Sequence, residues 1–587
     1  MKSANEAQNA VDKIINYDTN PTSLGDWRNS LVFVADDEDT DGHLKDADGI
    51  ARFLDTTYTD LNINKIYFDA FQQVSTPGGE KYPTVTDEIN KSMFKGAITV
   101  NYLGHGGSTS WAQERVLRLE DIENWVNIDK LPLFVTATCS FTGYDDAAFV
   151  TAGERTFLNQ KGGAIGLFTT VRAVFGNSNE KLTRAVFENL FRLENGEYMT
   201  IGEILRYSKN TSTAGTENSR KFTLIGDPAM KLALPQHRVI TTTINGHDIS
   251  DGVPDTLSAL ERVTIRGVIQ DVGGNILSDF NGKVFPTIFD KSARLRTLGQ
   301  DAGSHGVDFD LQKNILFKGI ASVENGQFEF TFVVSKDIKY EFGNGKISYY
   351  AKQDESLIDA AGVYEDIIIG GADETASDDN QGPTVEVFMN NEDFVFGGIT
   401  NENPILFVKL TDDNGINVAG SSIGHDLAGT LDEDTQNKYL LNDFYEAALD
   451  DHTKGEVRFP LFNIEEGRHQ IKVKAWDIAN NSAEGYTEFV VATSEEVALK
   501  HVLNYPNPFT TNTNFQFEHN MPNQLLNIQI RIFTVSGKLV KTIEQQVLSD
   551  GYRITDLAWN GTDDYEDQLA RGVYLYKIKV GLSLIHI

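Results

Sequence analysis

AITVNYLGHGG, residues 97–107, begins as a buried strand and ends with a histidine set between glycines. A second stretch, LPLFVTATCSF (131–141), has the same form: an apolar run that ends at Cys139. Between them lies EDIENWVN (120–127), with a helical pattern. Strand, helix and strand, with continuously apolar strands, is the signature of a parallel sheet covered on both faces. In such sheets functional groups gather just past the C-terminal ends of the strands. His105 and Cys139 follow strands 97–103 and 131–139, one crossover apart, so adjacent strands would deliver an imidazole and a thiol to the same edge.

Working outward, the same alternation fills residues 1–235. LVFVAD (31–36), KIYFDAF (65–71) and AIGLFTTV (164–171) read as further strands, while DADGIARFLDTTYT (46–59) and LTRAVFENLFRLE (182–194) read as helices. FTLIGDPAMKL (222–232) closes the unit and Pro235 marks the exit. The first residues, MKSANEAQNAVDKIINYD, predict an amphipathic helix with Val11, Ile14, Ile15 and Tyr17 on its apolar side. They hold no apolar signal core, so the expectation is either a cytosolic protein or a chain that lacks its true beginning.

Beyond residue 235 the texture becomes short alternating segments such as RVTIRGVIQD, GQFEFTFVV and HQIKVKAWD, divided by Gly, Asp and Asn turns. These predict immunoglobulin-like β-sandwich modules over 236–370 and 383–495, with an acidic linker at 371–382. LNDFYEAAL (441–449) is the single helix-like interruption. A last small sandwich covers 496–580, with a hairpin turn at Ser536–Lys538, and the GLSLIHI tail (581–587) has lost the alternation and suggests a non-native end. The fold class is therefore multidomain: an α/β domain with a parallel sheet and flanking helices, followed by all-β modules.

Composition narrows the function. The 587 residues carry 85 acidic against 51 basic side chains, a formal charge of −34, which argues against nucleic acid as a partner. No stretch is long and apolar enough for a transmembrane helix. The single cysteine cannot form an intrachain disulfide, so it neither shows nor excludes an oxidising compartment.

A thiol becomes a nucleophile as its thiolate, and a nearby imidazole can take its proton and later protonate a leaving amine. Cys139 as nucleophile and His105 as general base and acid fit that scheme. The backbone N–H groups of Gly106 and Cys139 are candidates for an oxyanion hole, with Gly107 also placed for close approach. The plainer alternatives are a cysteine buried as a small hydrophobe and a histidine that merely completes a turn.

The loop ADDEDTDGHLKDAD (35–48) carries several acids and His43. Asp37, Asp39 and Asp41 have the 1, 3, 5 spacing of a calcium loop, with Gly42 for the sharp turn and Asp48 at the twelfth position. A strand precedes it, so it is no EF-hand, and the alternative is a solvated loop that caps the next helix. No cofactor is required by this chemistry, and calcium is the one candidate ion. Trp111, Phe141, Tyr144, Asp145 and Asp146 lie close in sequence to the pair, and Trp111 and Tyr144 are the candidate walls of a substrate pocket.

GHGG after an apolar strand, the strand LFVTATCSF and the closing FTLIGDPAMKL resemble the gingipain family of cysteine peptidases, which share the caspase-like fold. The resemblance covers residues 28–235 and implies that His105 and Cys139 are the catalytic pair. The caspase signature Q-A-C-x-G is absent, since Thr138 precedes Cys139 and Ser140 follows it. Gingipains orient their histidine with an acid from a loop after an early strand. Near that position this sequence has His43 among several acids, so no acid is carried over, and a plain Cys–His dyad is sufficient.

The terminal unit, with P-N-P-F at 506–509, I-F-x-x-x-G-K, W-x-G and G-x-Y, resembles the C-terminal sorting domains of proteins exported by the type IX secretion system of Bacteroidetes. Taken with the domain order, this implies a cell-surface cysteine endopeptidase acting as a sortase. Such an enzyme cleaves C-terminal sorting signals from exported proteins and can transfer the new end to an anionic lipopolysaccharide. Implied partners are exported proteins with sorting domains, other outer-membrane components of the system and that glycan acceptor. Implied localisation is the outer face of the outer membrane, a signal peptide being absent from this chain. Two alternatives stay open: a secreted gingipain-like protease that is itself cargo, and an inactive adhesin or scaffold.

Overall fold

A computed structural model describes residues 3–146, 149–194, 196–213, 215–301, 303–376, 379–420, 424–492, 498–522, 524–549 and 551–582. The chain divides into two compact units, one built mainly from residues 1–378 and one mainly from residues 379–587.

The first unit opens with helix α1 (Ala4–Thr19), strand β1 (Ser30–Ala35), α2 (Glu38–Thr57), β2 (Asn62–Tyr67), α3 (Pro83–Lys95) and β3 (Thr99–Leu103). It continues with α4 (Leu119–Asn124), β4 (Leu133–Ala137), α5 (Ala152–Leu158), β5 (Gly166–Thr170), α6 (Gly176–Leu190), α7 (Ile201–Ser212) and β6 (Phe222–Ile225). The six strands form one sheet in the order β6-β5-β4-β3-β1-β2, parallel except for the antiparallel edge strand β6. Alternation along β1 shows why the strands are apolar throughout. Leu31, Phe33 and Ala35 enter the core beneath α2 and α6, while Val32 and Val34 enter the core beneath α3. This is the expected α/β architecture.

The terminal helix forms, but with a different face inward. Ala10, Lys13 and Tyr17 are buried, whereas Val11 and Ile15 are about half exposed. Lys13 tolerates burial because its Nζ donates to the carbonyls of Phe157 and Gly162 at 2.8 and 2.7 Å. Desolvation lowers its pKa to about 7.

The β module at 237–372 belongs to the same unit. Its main sheet has nine strands, and its core gathers Val263, Ile265, Val284, Phe332, Ile347 and Ile369. Buried Arg28 pairs with buried Asp359 at 2.8 Å, fastening the module to the α/β part. An antiparallel arm, β7 (Ala293–Arg296) and β8 (Asp308–Leu311), carries a loop back toward the α/β sheet. The strand Ile367–Ala372 runs two residues into the expected linker.

In the second unit, four- and five-stranded sheets form the sandwich of residues 384–491, and two three-stranded sheets form the terminal module. The expected helix at 441–449 is absent: the segment is a short turn at Asn442–Phe444 and a strand at Tyr445–Ala448. Gly581 and Leu582, the first residues of the tail read above as a non-native end, continue the last strand and pair with Asn527 and Leu526. The remainder of that tail, 583–587, lies outside the described residues. Among the described residues no helix is long and apolar enough to cross a membrane.

Candidate active site

β3 and β4 are adjacent and in register, with Leu103 opposite Ala137. His105 and Cys139 each lie two residues beyond that rung, so both loops leave the same edge side by side. The two loops touch. A Cβ on Gly106 would stand 2.6 Å from Thr138 Oγ1, so only glycine fits there. Gly104 is equally constrained, since a Cβ would meet Tyr102 OH at 2.5 Å and Asp36 Oδ2 at 2.6 Å. The glycines flanking the histidine therefore serve close packing, which brings the His105 loop against the residue preceding the thiol.

Asp36, at the end of β1, organises the site. It is fully buried; one oxygen accepts the backbone N–H of His105 and the other contacts His43 Nδ1 at 2.6 Å. Tyr102 OH donates to the His105 carbonyl at 2.6 Å, so the histidine is held by both its main-chain groups. The His105 ring itself is part-exposed, with Nε2 3.4 Å from Asp39 Oδ2. His43 stands edge-on to it, ring centroids 5.2 Å apart. Burial opposes charge on His43, but the hydrogen bond and charge of Asp36, with Asp39 and Asp46 beyond, outweigh it and raise the imidazole pKa.

Cys139 Sγ lies 3.9 Å from the carbonyl of Val174, at the start of the segment leading into α6. Its strand end is anchored by Asn179, whose amide donates to Ala137 O at 3.3 Å, and by Thr170, whose hydroxyl donates to Thr138 O. Gly107 N–H donates to Ser110 O at 3.0 Å and is committed to that turn. Among the described residues, the N–H groups of Gly106 and Cys139 meet no protein acceptor, which leaves both for an oxyanion.

The acidic loop does not gather as a calcium site. Asp37 accepts from Tyr82 OH; burial and the neighbouring Asp301 carboxyl push its pKa up to about 8. Asp39 faces the two histidines, Asp41 accepts from Ser304 and from His305 N–H, and Asp48 is buried against Lys65 at 2.8 Å. Left-handed backbone at Asp39, Thr40 and Asp41 turns the successive acids to separate partners. The arm loop takes part: Gly299 and Gln300 donate to buried Asp69 at 2.6 and 3.0 Å, and Ser304 and Asp301 reach the Asp37–Asp41 segment.

The pocket residues need correction as well. Trp111 is fully buried, stacked on Tyr102 at 4.3 Å and packed against Phe134 and Phe141, so it is core rather than pocket wall. Tyr144 is exposed, and the neighbouring Asp145 is engaged by Arg172 at 2.5 and 3.0 Å. Phe175, 66% exposed, directly follows the carbonyl that contacts Cys139 Sγ. Sequence reasoning passed over it, although its place just beyond strand 164–171 puts it at the same sheet edge. Two clusters of ligand-type side chains occur among the described residues: Asp36, His43 and His105 here, and Asp379, Asp412 and Asp477 in the second unit.

Residues 1–233 match the family model of peptidase family C25. They are a C25 domain, the gingipain family of cysteine peptidases. Residues 504–582 match the FlgD Ig-like domain. No curated protein sequence matches the chain. The solved structure of dimeric latent PorU from Porphyromonas gingivalis is similar at 23% identity and a TM-score of 0.29, over 94% of this chain and 63% of that one. The chain thus spans less than two thirds of the length of that relative. The Arg-specific cysteine proteinase gingipain R is similar at 16% identity and a TM-score of 0.35, over 63% of this chain and 73% of that one. In the C25 domain His105 and Cys139 occupy the sequence positions that the family resemblance assigns to base and nucleophile.

Proposed function

We propose that this protein is a sortase-type cysteine endopeptidase that removes C-terminal sorting modules from exported proteins. The observation that carries the catalytic part is the placement of His105 and Cys139 two residues beyond one shared rung of the sheet. With Nε2 of His105 facing Asp39, a proton on that nitrogen leaves the Nδ1 lone pair to take the thiol proton. The thiolate attacks the scissile carbonyl, and the N–H groups of Gly106 and Cys139 receive the oxyanion. The imidazolium protonates the departing amine, which leaves with the sorting module. Water then releases the thioester as a free carboxylate, or an amine on an anionic lipopolysaccharide captures it as an amide.

The exported substrate is supported by the chain's own terminal module, whose P-N-P-F, I-F-x-x-x-G-K, W-x-G and G-x-Y motifs resemble sorting domains. A protein with such substrates works where exported chains emerge, at the outer face of the outer membrane with the other components of that system.

The test is to incubate the purified chain with a reporter that ends in a sorting module and to identify both products by mass spectrometry. Cleavage just before the module, by a chain that keeps its own residues 498–582, supports the sortase. Loss of its own terminal module marks a cargo protease instead, and no cleavage by a folded chain returns the scaffold alternative. Adding glycine amide as acceptor separates transfer, seen as an amide-linked product, from hydrolysis alone.

A further inference from the structure

The histidine pair beside Cys139 has a geometry that a thiol dyad does not need. Asp39 Oδ2 lies 3.4 Å from His105 Nε2 and 3.7 Å from His43 Nε2, and the two rings meet edge to face at 82°. Asp39 Oδ2 thus lies close to both Nε2 atoms, and the two rings meet edge to face instead of stacking. Ligand atoms that share a tetrahedral zinc with bonds of about 2.0–2.2 Å stand about 3.4 Å from one another. His43 is 7% exposed and held by its other nitrogen, with Nδ1 2.6 Å from fully buried Asp36. Histidines that ligate metals commonly give their remaining N–H to a carboxylate in this way, which fixes the tautomer and aims Nε2 outward. Asp36, His43 and His105 bring ligand-type atoms within 4.8 Å of one another, although Asp36 is already committed to His43 and to the His105 backbone.

We propose that Asp39 Oδ2, His43 Nε2 and His105 Nε2 form a site for a divalent transition metal such as Zn²⁺, and that filling it switches the peptidase off. The switching part rests on His105 as the base for Cys139. Two imidazoles and one carboxylate suit zinc and its neighbours, whereas calcium and magnesium prefer all-oxygen shells. Without metal, the proton of neutral His105 sits on Nε2 beside Asp39, and Nδ1 carries the lone pair. When zinc takes Nε2, that proton moves to Nδ1, and the ring can no longer accept a proton from the thiol. Cys139 is not a ligand in this arrangement, so the metal acts through the base and leaves the sulfur uncoordinated.

The experiment is calorimetric titration of the full chain with ZnCl₂, paired with the rate of Cys139 alkylation by iodoacetamide. The wild type should bind zinc at this site, and His43→Asn and Asp39→Asn should each weaken that binding by about tenfold or more. Asp39→Asn guards against misfolding, because its side chain is 65% exposed and asparagine accepts the left-handed backbone there. Cys139→Ala should bind zinc as the wild type does. Saturating zinc should slow alkylation by about tenfold in the wild type, reversibly with EDTA, and much less in Asp39→Asn at the same concentration. Zinc binding that is unchanged in both His43→Asn and Asp39→Asn would overturn the site, as would its loss in Cys139→Ala. If the chain cleaves no peptide, the titration still reads the metal site, so the two readings fail separately.

Discussion

Leu103 and Ala137 face each other across the parallel strands β3 and β4, and each is followed two residues later by a catalytic candidate, His105 or Cys139. The sheet therefore sets the loops of His105 and Cys139 side by side, while the contacts of each loop set how its side chain is held.

For His105 that hold passes through Asp36. Asp36→Asn keeps one acceptor but breaks the balance between the His105 backbone and the His43 ring. The expected result is a kcat lower by about 100-fold with KM little changed, since a histidine displaced by about 1 Å costs that much. A fall in KM-dependent binding with kcat intact would show that Asp36 acts elsewhere.

The arm of the following β module is part of the same support. Asp69→Ala removes the carboxylate that receives the N–H groups of Gly299 and Gln300, weakening arm docking by about 2–3 kcal/mol. Hydrogen exchange should speed up in residues 297–307 and then in 37–41, and peptide cleavage should fall while the sheet stays protected. Exchange confined to the arm, with full activity, would mean that the contact is only structural.

Acid should loosen the terminal module through His519. This ring is fully buried; Nδ1 accepts from Met521 N–H at 3.2 Å and Nε2 lies 3.1 Å from Ser549 Oγ, whose own proton goes to Gly551 O. That arrangement satisfies the neutral ring, and burial lowers its pKa to about 4. The unfolded chain, with an ordinary value near 6.5, then binds this proton more readily than the folded one. Stability is complete above pH 6.5 and declines as pH falls toward 4, by about 3 kcal/mol at the lower end. Hydrogen exchange in strands Thr513–His519 and Leu525–Thr534 should rise over that range, and His519→Asn should flatten the dependence.

Much of this was legible in the sequence. Strands buried on both faces leave unbroken apolar runs, so the α/β domain and the edge carrying His105 and Cys139 could be read directly. The rest depended on tertiary partners. Asp36 escaped notice because it holds His105 by the backbone and not by the ring. Trp111 stands near His105 in sequence, yet the turn closed by Gly107 and Ser110 folds it beneath Tyr102. The 1, 3, 5 aspartates imitate a calcium loop until left-handed backbone at Asp39–Asp41 separates them. The buried face of α1 was not legible because hydropathy does not register the carbonyls that receive the Lys13 ammonium. The 441–449 segment has helical spacing, but sheet pairing at Tyr445–Ala448 prevails over it.

The most direct test of the central claim is the rate at which iodoacetamide alkylates Cys139 at pH 7 in the wild type and in His105→Ala, with Cys139→Ala as the blank. The dyad predicts that His105→Ala slows alkylation by about tenfold or more and lowers peptide cleavage by about 10²–10⁴-fold, because the thiol has lost the group that takes its proton. Equal alkylation and equal cleavage in wild type and His105→Ala would contradict it.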